Sequence, residues 1–384
     1  MHKKFLLLIA WAFYALISIE FIKAQPAELR LGDLNCRYIG RFSSPRWIND
    51  DLLLLSLPDG ELYDCSRQEI VAKVGYKFDE KHDWYFNQLE NRELPLLGYI
   101  GVAFLDPEGQ RLVTFYNNGL IRYWRTSDWS LEKSLETDLF RKTDMGRFYL
   151  TPDKKYVSCW CLLGLTYRTL FFDWRSGKIV DRKGPDLIEE FSQTGKYALS
   201  INETDVTIWS YPDWNIVKSL RHFRTRYLLG HGAVIRFVNH DEHLLVLASG
   251  RAVLFDWRQE KELVVREIDP RTPIPGKSED KFSYLGDTRV VIELGKRGLR
   301  GPEGVIHGSV SLGWYLWDFT SITPILEFAP PQPFKLSRMG FSPGGKRLYV
   351  EVKCPITRDR EATYVYLADV PPHWYKLMPN GGTR

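Results

Sequence analysis

Residues Phe341–Val352 read FSPGGKRLYVEV: an aromatic residue, a Ser-Pro-Gly-Gly turn, a basic pair, then an apolar run. Proline presets φ and the glycines allow a tight reversal, so the stretch reads as strand, turn, strand. Working outward, the same unit recurs. Trp47-Ile48-Asn49-Asp50-Asp51 precedes LLLLSL, Leu105-Asp106-Pro107-Glu108-Gly109 precedes RLVTFY, and Leu150-Thr151-Pro152-Asp153 precedes YVSCWC. Phe191-Ser192-Gln193-Thr194-Gly195 precedes KYALSI, Phe237 opens FVNHDEHLLVLAS, and Tyr284 opens YLGDTRVVIEL. Counted from Ile48, successive copies lie 57, 45, 41, 46, 47 and 57 residues apart. A period of that length, present seven times, predicts seven structural units.

The second half of each unit repeats too. A third strand is expected to end at Tyr63-Asp64, Trp124-Arg125, Phe172-Asp173, Trp209-Ser210, Phe255-Asp256, Trp317-Asp318 and Ala368-Asp369, each followed by a short turn and a fourth strand. Four short strands per unit make one blade of a β-propeller. Radial stacking covers both faces of each sheet, which accounts for continuous apolar runs such as Leu52–Leu55. Composition agrees. Among 384 residues the 13 Trp, 20 Tyr and 21 Phe favour strands, and 29 Gly with 21 Pro supply many turns. With 44% hydrophobic and 26% charged residues, a disordered chain and a multi-span membrane protein are both excluded. The expected fold is all-β: a seven-bladed β-propeller of four-stranded antiparallel blades.

Over residues 45–378 the chain resembles the WD-repeat family of β-propellers, through the FSPGGK turn and the Trp-Asp or Phe-Asp strand ends. The resemblance implies a propeller that serves as an interaction platform. WD repeats usually carry a Gly-His pair before the first strand, and here only Gly230-His231 supplies one. That unit has no Asp in its Ser249-Gly250 turn, so the family's Asp-His-Ser/Thr-Trp network is not expected there. Asp173, Ser176, Gly177 and Lys178 also resemble a quinoprotein repeat, a pattern that the other units lack. Ring closure has two readings. Residues 29–41 could form the outermost strand of the last blade, or Trp374–Met378 could supply it.

The N-terminus reads as targeting. Basic His2, Lys3 and Lys4 precede an apolar run from Phe5 to Ile19, and Ala24 precedes Gln25. Such a run is short for a span and fits a cleaved secretory signal over residues 1–24. The propeller is then expected over 29–378, with a short tail at 379–384. Removal of 1–24 leaves Lys+Arg 49 against Asp+Glu 47. A nearly neutral chain argues against nucleic acid as a partner. Of the five cysteines, Cys159 and Cys161 flank Trp160 in a strand-like run, share a face, and read as small buried hydrophobes. Cys36 and Cys65 could pair in an oxidising compartment.

No chemistry-bearing motif stands out: no G-x-S-x-G elbow, P-loop, H-E-x-x-H or C-x-x-C occurs. His240-Asp241-Glu242-His243 has ligand-like spacing but sits in a turn expected to be solvated, with no third ligand. No catalytic, cofactor or metal residue is therefore assigned, and no cofactor is expected. Asn202-Glu203-Thr204 is a glycosylation sequon. Loop lengths are more telling. Turns between first and second strands are short, whereas 75–98, 136–146, 221–232, 267–281, 294–309 and 354–362 are long and belong to the opposite face. Repeat proteins place variable loops on their binding face. The candidate anchors are Trp84, Tyr85, Phe86, Arg224, Arg226, Lys296, Arg297, Arg300, Arg358 and Arg360, of the residue types that dominate interfaces. The expected role is an exported, monomeric propeller, periplasmic or secreted, binding a protein through this face. The alternative is a propeller enzyme, hydrolase or quinoprotein-like, or a small-ligand binder at the central channel.

Overall fold

The structure, a computed structural model, describes residues 28–57, 60–77, 84–87, 92–95, 98–143, 145–163, 166–180, 184–202, 204–223, 234–248, 251–267, 282–285, 289–296, 310–318, 322–357 and 360–376. The expected signal at 1–24 and the tail at 379–384 lie outside them. Among the described residues six sheets have four antiparallel strands, one has five, and a two-stranded hairpin stands apart. The chain is a β-propeller of four-stranded antiparallel blades.

Each four-stranded sheet follows chain order from one edge to the other. The sheets, numbered along the chain, begin with the strands Ser43–Trp47, Ile100–Leu105, Met145–Leu150, Glu190–Phe191, Val234–Val238, Phe282–Leu285 and Lys335–Phe341. Contacts between Ile100–Leu105 and Met145–Leu150, and between Phe282–Leu285, Lys335–Phe341 and Ser43–Trp47, place these first strands around the axis. The third strands end at Asp64, Arg125, Asp173, Ser210, Asp256, Asp318 and Asp369, the residues read from the repeats. The acidic end is a turn device. Asp64 Oδ1 accepts from the Ser66 and Arg67 amides at 2.8 and 3.0 Å, and Asp256 Oδ1 from those of Arg258 and Gln259 at 2.9 Å each. These Asx turns satisfy amides that the ladder leaves open. Part of the WD-type network is present: Trp124 Nε1 donates to Thr114 Oγ1 at 3.0 Å and Trp209 Nε1 to Ser200 Oγ at 2.8 Å.

Burial lies between sheets. Leu54 and Leu112 join sheets one and two, Phe115 and Cys159 sheets two and three, and Phe171 and Ala198 sheets three and four. Leu199 and Phe237 join four and five, Leu254 and Trp317 five and six, Leu316 and Leu348 six and seven, and Leu53 and Val365 seven and one. Every sheet is thus apolar on both faces, as the unbroken hydrophobic runs require.

Of the two closures, the N-terminal one is present. Leu34–Gly40 pairs antiparallel with Arg360–Asp369, Arg37 opposite Leu367 and Tyr38 opposite Tyr366, and Glu28–Leu31 folds back on it. Trp374 instead lies in a short helix, His373–Lys376, against Phe328 and Phe341, and its Nε1 donates to Asp33 Oδ2 at 3.0 Å. No helix among the described residues is long and apolar enough to cross a membrane.

Several loop readings need correction. Residues 354–362 are mostly strand, because Arg347–Thr357 and Arg360–Asp369 stay paired to Thr357 opposite Arg360. Gly295 and Lys296 end the strand Arg289–Lys296, opposite Ser311 and Val310. The stretch 75–98 contains a hairpin, Trp84–Asn87 with Arg92–Pro95. The turn at 240–243 is not wholly solvated. His240 is exposed, but Asp241 is buried, with its carboxylate accepting from Thr194 Oγ1 and its carbonyl from Trp257 Nε1 at 2.8 Å. Asn239, His240 and Asp241 all have positive φ, which turns Asp241 inward against sheet four.

All five cysteines are free thiols. Cys36 packs between sheets six and seven, whereas Cys65 packs between seven and one. The seventh sheet separates them, so no bridge joins them. Cys159 and Cys161 share a face as expected, their sulfurs 3.5 Å apart in the dry contact between sheets two and three. Burial pushes the Cys36 thiol from 9.0 up to about 12 and that of Cys65 up to about 11. The sign follows directly. Unfolded thiols ionise above pH 9 and folded ones resist, so this contribution to stability is complete below pH 9 and is lost between pH 9 and 12. A thiol reagent at pH 8 is expected to label Cys36, Cys65, Cys159 and Cys161 only after unfolding, read by labelling rate with and without denaturant.

Candidate functional site

The first strands bring charged side chains to the axis. Arg46, Arg147, Arg236 and Arg338 each lie one to three residues from the end of their innermost strand. Glu189 and Glu190 occupy the matching place in sheet four. At about 3.3 Å per residue these positions fall within roughly 7 Å along the strands. They form a belt near the short-turn face.

The belt stitches neighbouring sheets together. Arg147 of sheet three donates from Nη1 to Glu189 Oε2 at 2.5 Å, and Arg236 Nη1 of sheet five lies 3.6 Å from Glu190 Oε2. Two consecutive glutamates therefore hold the arginines on either side of sheet four. Tyr149 Oη adds a 3.0 Å bond to the Glu189 carbonyl, and the Arg147 guanidinium stacks 4.0 Å from the centre of the Trp160 ring. Between sheets seven and one, Glu351 accepts from the Ser44 amide at 2.8 Å and lies 3.9 Å from Arg338 Nε. Trp47 Nε1 donates to the Gly340 carbonyl at 2.8 Å. Between sheets one and two, Arg46 Nη1 donates to the Gly101 carbonyl.

Two of these inner strands are locally distorted. Ser44 has φ 55° and Arg147 φ 46°, and the pairing shifts register between Gly146 and Tyr149. A non-glycine residue in the left-handed region is held by its surroundings. At Arg147 those surroundings are Glu189 and Trp160. The belt carboxylates Glu189, Glu190 and Glu351 each meet an arginine. Among the described residues no three His, Cys, Asp or Glu side chains gather as metal ligands.

The sequence-predicted anchors stand elsewhere. Trp84, Tyr85 and Phe86 lie in the hairpin strand opposite Pro95, Leu94 and Glu93. Lys296 ends a strand of sheet six, and Arg360 begins one of sheet seven. Arg224, Arg226, Arg297, Arg300 and Arg358 lie outside the described residues. What sequence reasoning missed on this face is a hairpin in sheet three. Tyr156–Leu163 and Thr166–Asp173 are eight residues each and stay paired to Leu163 opposite Thr166. Leu163 is 37% exposed and Tyr167 48%, so its end presents apolar surface to water. The signal was there: Leu163 and Tyr167 extend the run of the strands past the length of those in sheets two and four.

No known family's sequence profile matches the chain, and no curated protein matches it in sequence. Solved structures do match in fold. The β-propeller domain of Cps50 (Swd1) from Myceliophteria thermophila superposes with a TM-score of 0.54 at 12% identity, covering 88% of this chain and 99% of that one. A chain of the mitotic checkpoint complex superposes with a TM-score of 0.50 at 11% identity, covering 86% of this chain and 87% of that one. The fold is a WD-repeat-like propeller, as the repeats indicate.

Proposed function

We propose that the chain is an exported, seven-bladed propeller over residues 29–378 that binds a protein partner through the face carrying its extended hairpins. Seven sheets joined pairwise by apolar clusters, the last packed on the first, support the blade count. One structure similar in fold comes from a multiprotein assembly, the mitotic checkpoint complex, which supports a platform role. The near-neutral charge of the mature chain supports a protein rather than a nucleic acid as partner.

The observation that carries the reading is the sheet-three hairpin. Its second-to-third connection lies on the long-loop face, and it presents Leu163 and Tyr167 on paired, ordered strands. Apolar and aromatic side chains on a stiff support lose little entropy when a partner covers them. The paired strands of sheets six and seven and the hairpin at Trp84–Pro95 lie on the same side of the ring by chain connection. The test is capture of a partner from the native extracytoplasmic fraction, followed by titration against a Leu163→Ser/Tyr167→Ser variant. Affinity is expected to fall at least about tenfold with the melt unchanged; unchanged affinity would place the interface elsewhere.

The export part is tested separately. The mature protein, periplasmic or secreted and monomeric, is expected to begin at Gln25 on N-terminal sequencing. A retained Met1 overturns it.

A further inference from the structure

Cys159 and Cys161 are both fully buried, on the face of sheet three that packs on sheet two. Alternate residues of a strand stand about 6.6 Å apart, yet these two sulfurs lie 3.5 Å from each other. Both side chains therefore lean together. The strand is anchored from its other face, where Trp160 Nε1 donates to the Ile188 carbonyl at 2.9 Å and its ring takes the Arg147 guanidinium. A disulfide does not follow from this approach. It needs Cβ atoms about 3.8 Å apart, and the extended, paired backbone of Tyr156–Leu163 keeps them roughly 6–7 Å apart. An ion shared by two sulfurs makes no such demand. At about 2.3 Å from each it holds them about 4 Å apart with three ligands and about 4.6 Å apart with two.

A third sulfur stands across the ladder. Met145 is buried and is the register partner of Cys161, so the two side chains share one face and one cluster. The surroundings are otherwise hydrocarbon, with Val113 and Phe115 from sheet two and Val157 and Phe172 from sheet three. No carboxylate or imidazole joins the two cysteines among the described residues. Two thiols and a thioether in a dry contact make a soft ligand set. Such sulfurs select Cu(I), whereas a structural zinc takes four ligands and lacks a full set here. Burial and the neighbouring sulfur hold the Cys159 thiol well above its usual 9.0, so a metal has to displace its proton.

We propose that Cys159 and Cys161, with Met145 as the third sulfur, bind one Cu(I) ion in the contact between sheets two and three. The ion arrives already reduced. Two S–H bonds break, two copper–sulfur bonds form, both protons pass to solvent, and no electron moves. Neither cysteine is open to solvent, so loading takes place as the two sheets close on each other or when they part. The site goes beyond the platform reading. It is buried below the hairpin end that carries Leu163 and Tyr167, so either can fail without the other.

The full chain is purified from cells grown with copper, and a second sample is unfolded and refolded without oxygen beside Cu(I) held by bicinchoninate. After desalting, one copper per chain is expected to remain, and X-ray absorption is expected to find sulfur neighbours only, at about 2.3 Å. Cys159→Ala/Cys161→Ala is expected to lose the ion. Met145→Leu is expected to weaken retention against bicinchoninate by about tenfold, through loss of one ligand of three. Cys36→Ala/Cys65→Ala, which removes the thiols buried in other contacts, and Leu163→Ser/Tyr167→Ser are expected to retain copper in full. The absorption measurement is made on the unsubstituted chain, so it stands however the variants fold. No copper in either sample, nitrogen or oxygen neighbours around the retained ion, or full retention in Cys159→Ala/Cys161→Ala overturns the proposal.

Discussion

A chain from which residues 28–40 are removed is expected to lose its cooperative transition and to associate. These residues form the two outer strands of sheet seven, Leu34–Gly40 paired with Arg360–Asp369 and Glu28–Leu31 at the edge. They bury Leu29, Leu31 and Leu34 almost completely, together with Cys36, in the cluster that holds sheets six and seven. At about 1.5–3 kcal/mol for each fully buried leucine, the three account for roughly 5–9 kcal/mol. That is comparable to the whole net stability of a typical domain, about 5–15 kcal/mol. The loss also exposes the edge of Arg360–Asp369 at Val365–Leu367, a template for pairing with another copy. Thermal melts and size-exclusion profiles of the shortened chain measure this. A peptide spanning 28–40, added in trans, is expected to restore part of the transition. A monomer with an undiminished melt would show that closure does not depend on this strand.

Replacing Trp374 with alanine is expected to destabilise the chain by about 3–5 kcal/mol, the usual cost of emptying a large aromatic site. Trp374 is 1% exposed and packs on Phe328 of sheet six and Phe341 of sheet seven. Its Nε1 reaches Asp33 in the turn of the N-terminal hairpin, and His373 Nε2 lies 2.7 Å from the same oxygen. The short C-terminal helix therefore clasps the strand that closes the ring. Trp374→Phe keeps most of the packing and loses the Asp33 bond, so a cost of about 1 kcal/mol is expected. Denaturant midpoints of the two variants separate the terms. Equal costs would mean that the hydrogen bond, not the packing, dominates.

The readable features share a local cause. Where the third strand ends in Asp, as at Asp64, Asp173 and Asp256, the carboxylate accepts from amides of the turn, so the residue type marks the place, and all seven third strands end where the repeats put them. Strands buried on both faces must be apolar throughout, so LLLLSL and its counterparts declared propeller sheets before any contact was known. Loops were read less well. Strand and loop differ at 354–362 by whether the ladder continues, and pairing across a hairpin leaves little mark in a mixed sequence such as Lys353–Thr357, where a proline interrupts the pattern.

The sequence by itself determined the repeat, the strand ends and the all-β architecture, because each rests on residues within a few positions of one another. Only the tertiary structure decided what meets across the ring. Arg46, Arg147, Arg236 and Arg338 lie one, three, two and three residues before the ends of their strands, and the inner strands of sheets two, four and six have no arginine, so no period links them, and the pairing shifts register at Arg147, whose φ is positive. Cys36 and Cys65 looked like partners along the chain, yet the first of them belongs to the last sheet, because the N-terminal strand crosses the closure to pair there. Closing a ring brings together residues more than three hundred positions apart, as in the bond from the Ser44 amide to Glu351. Which side chains then share the axis depends on blade packing and strand register, quantities that no local pattern encodes.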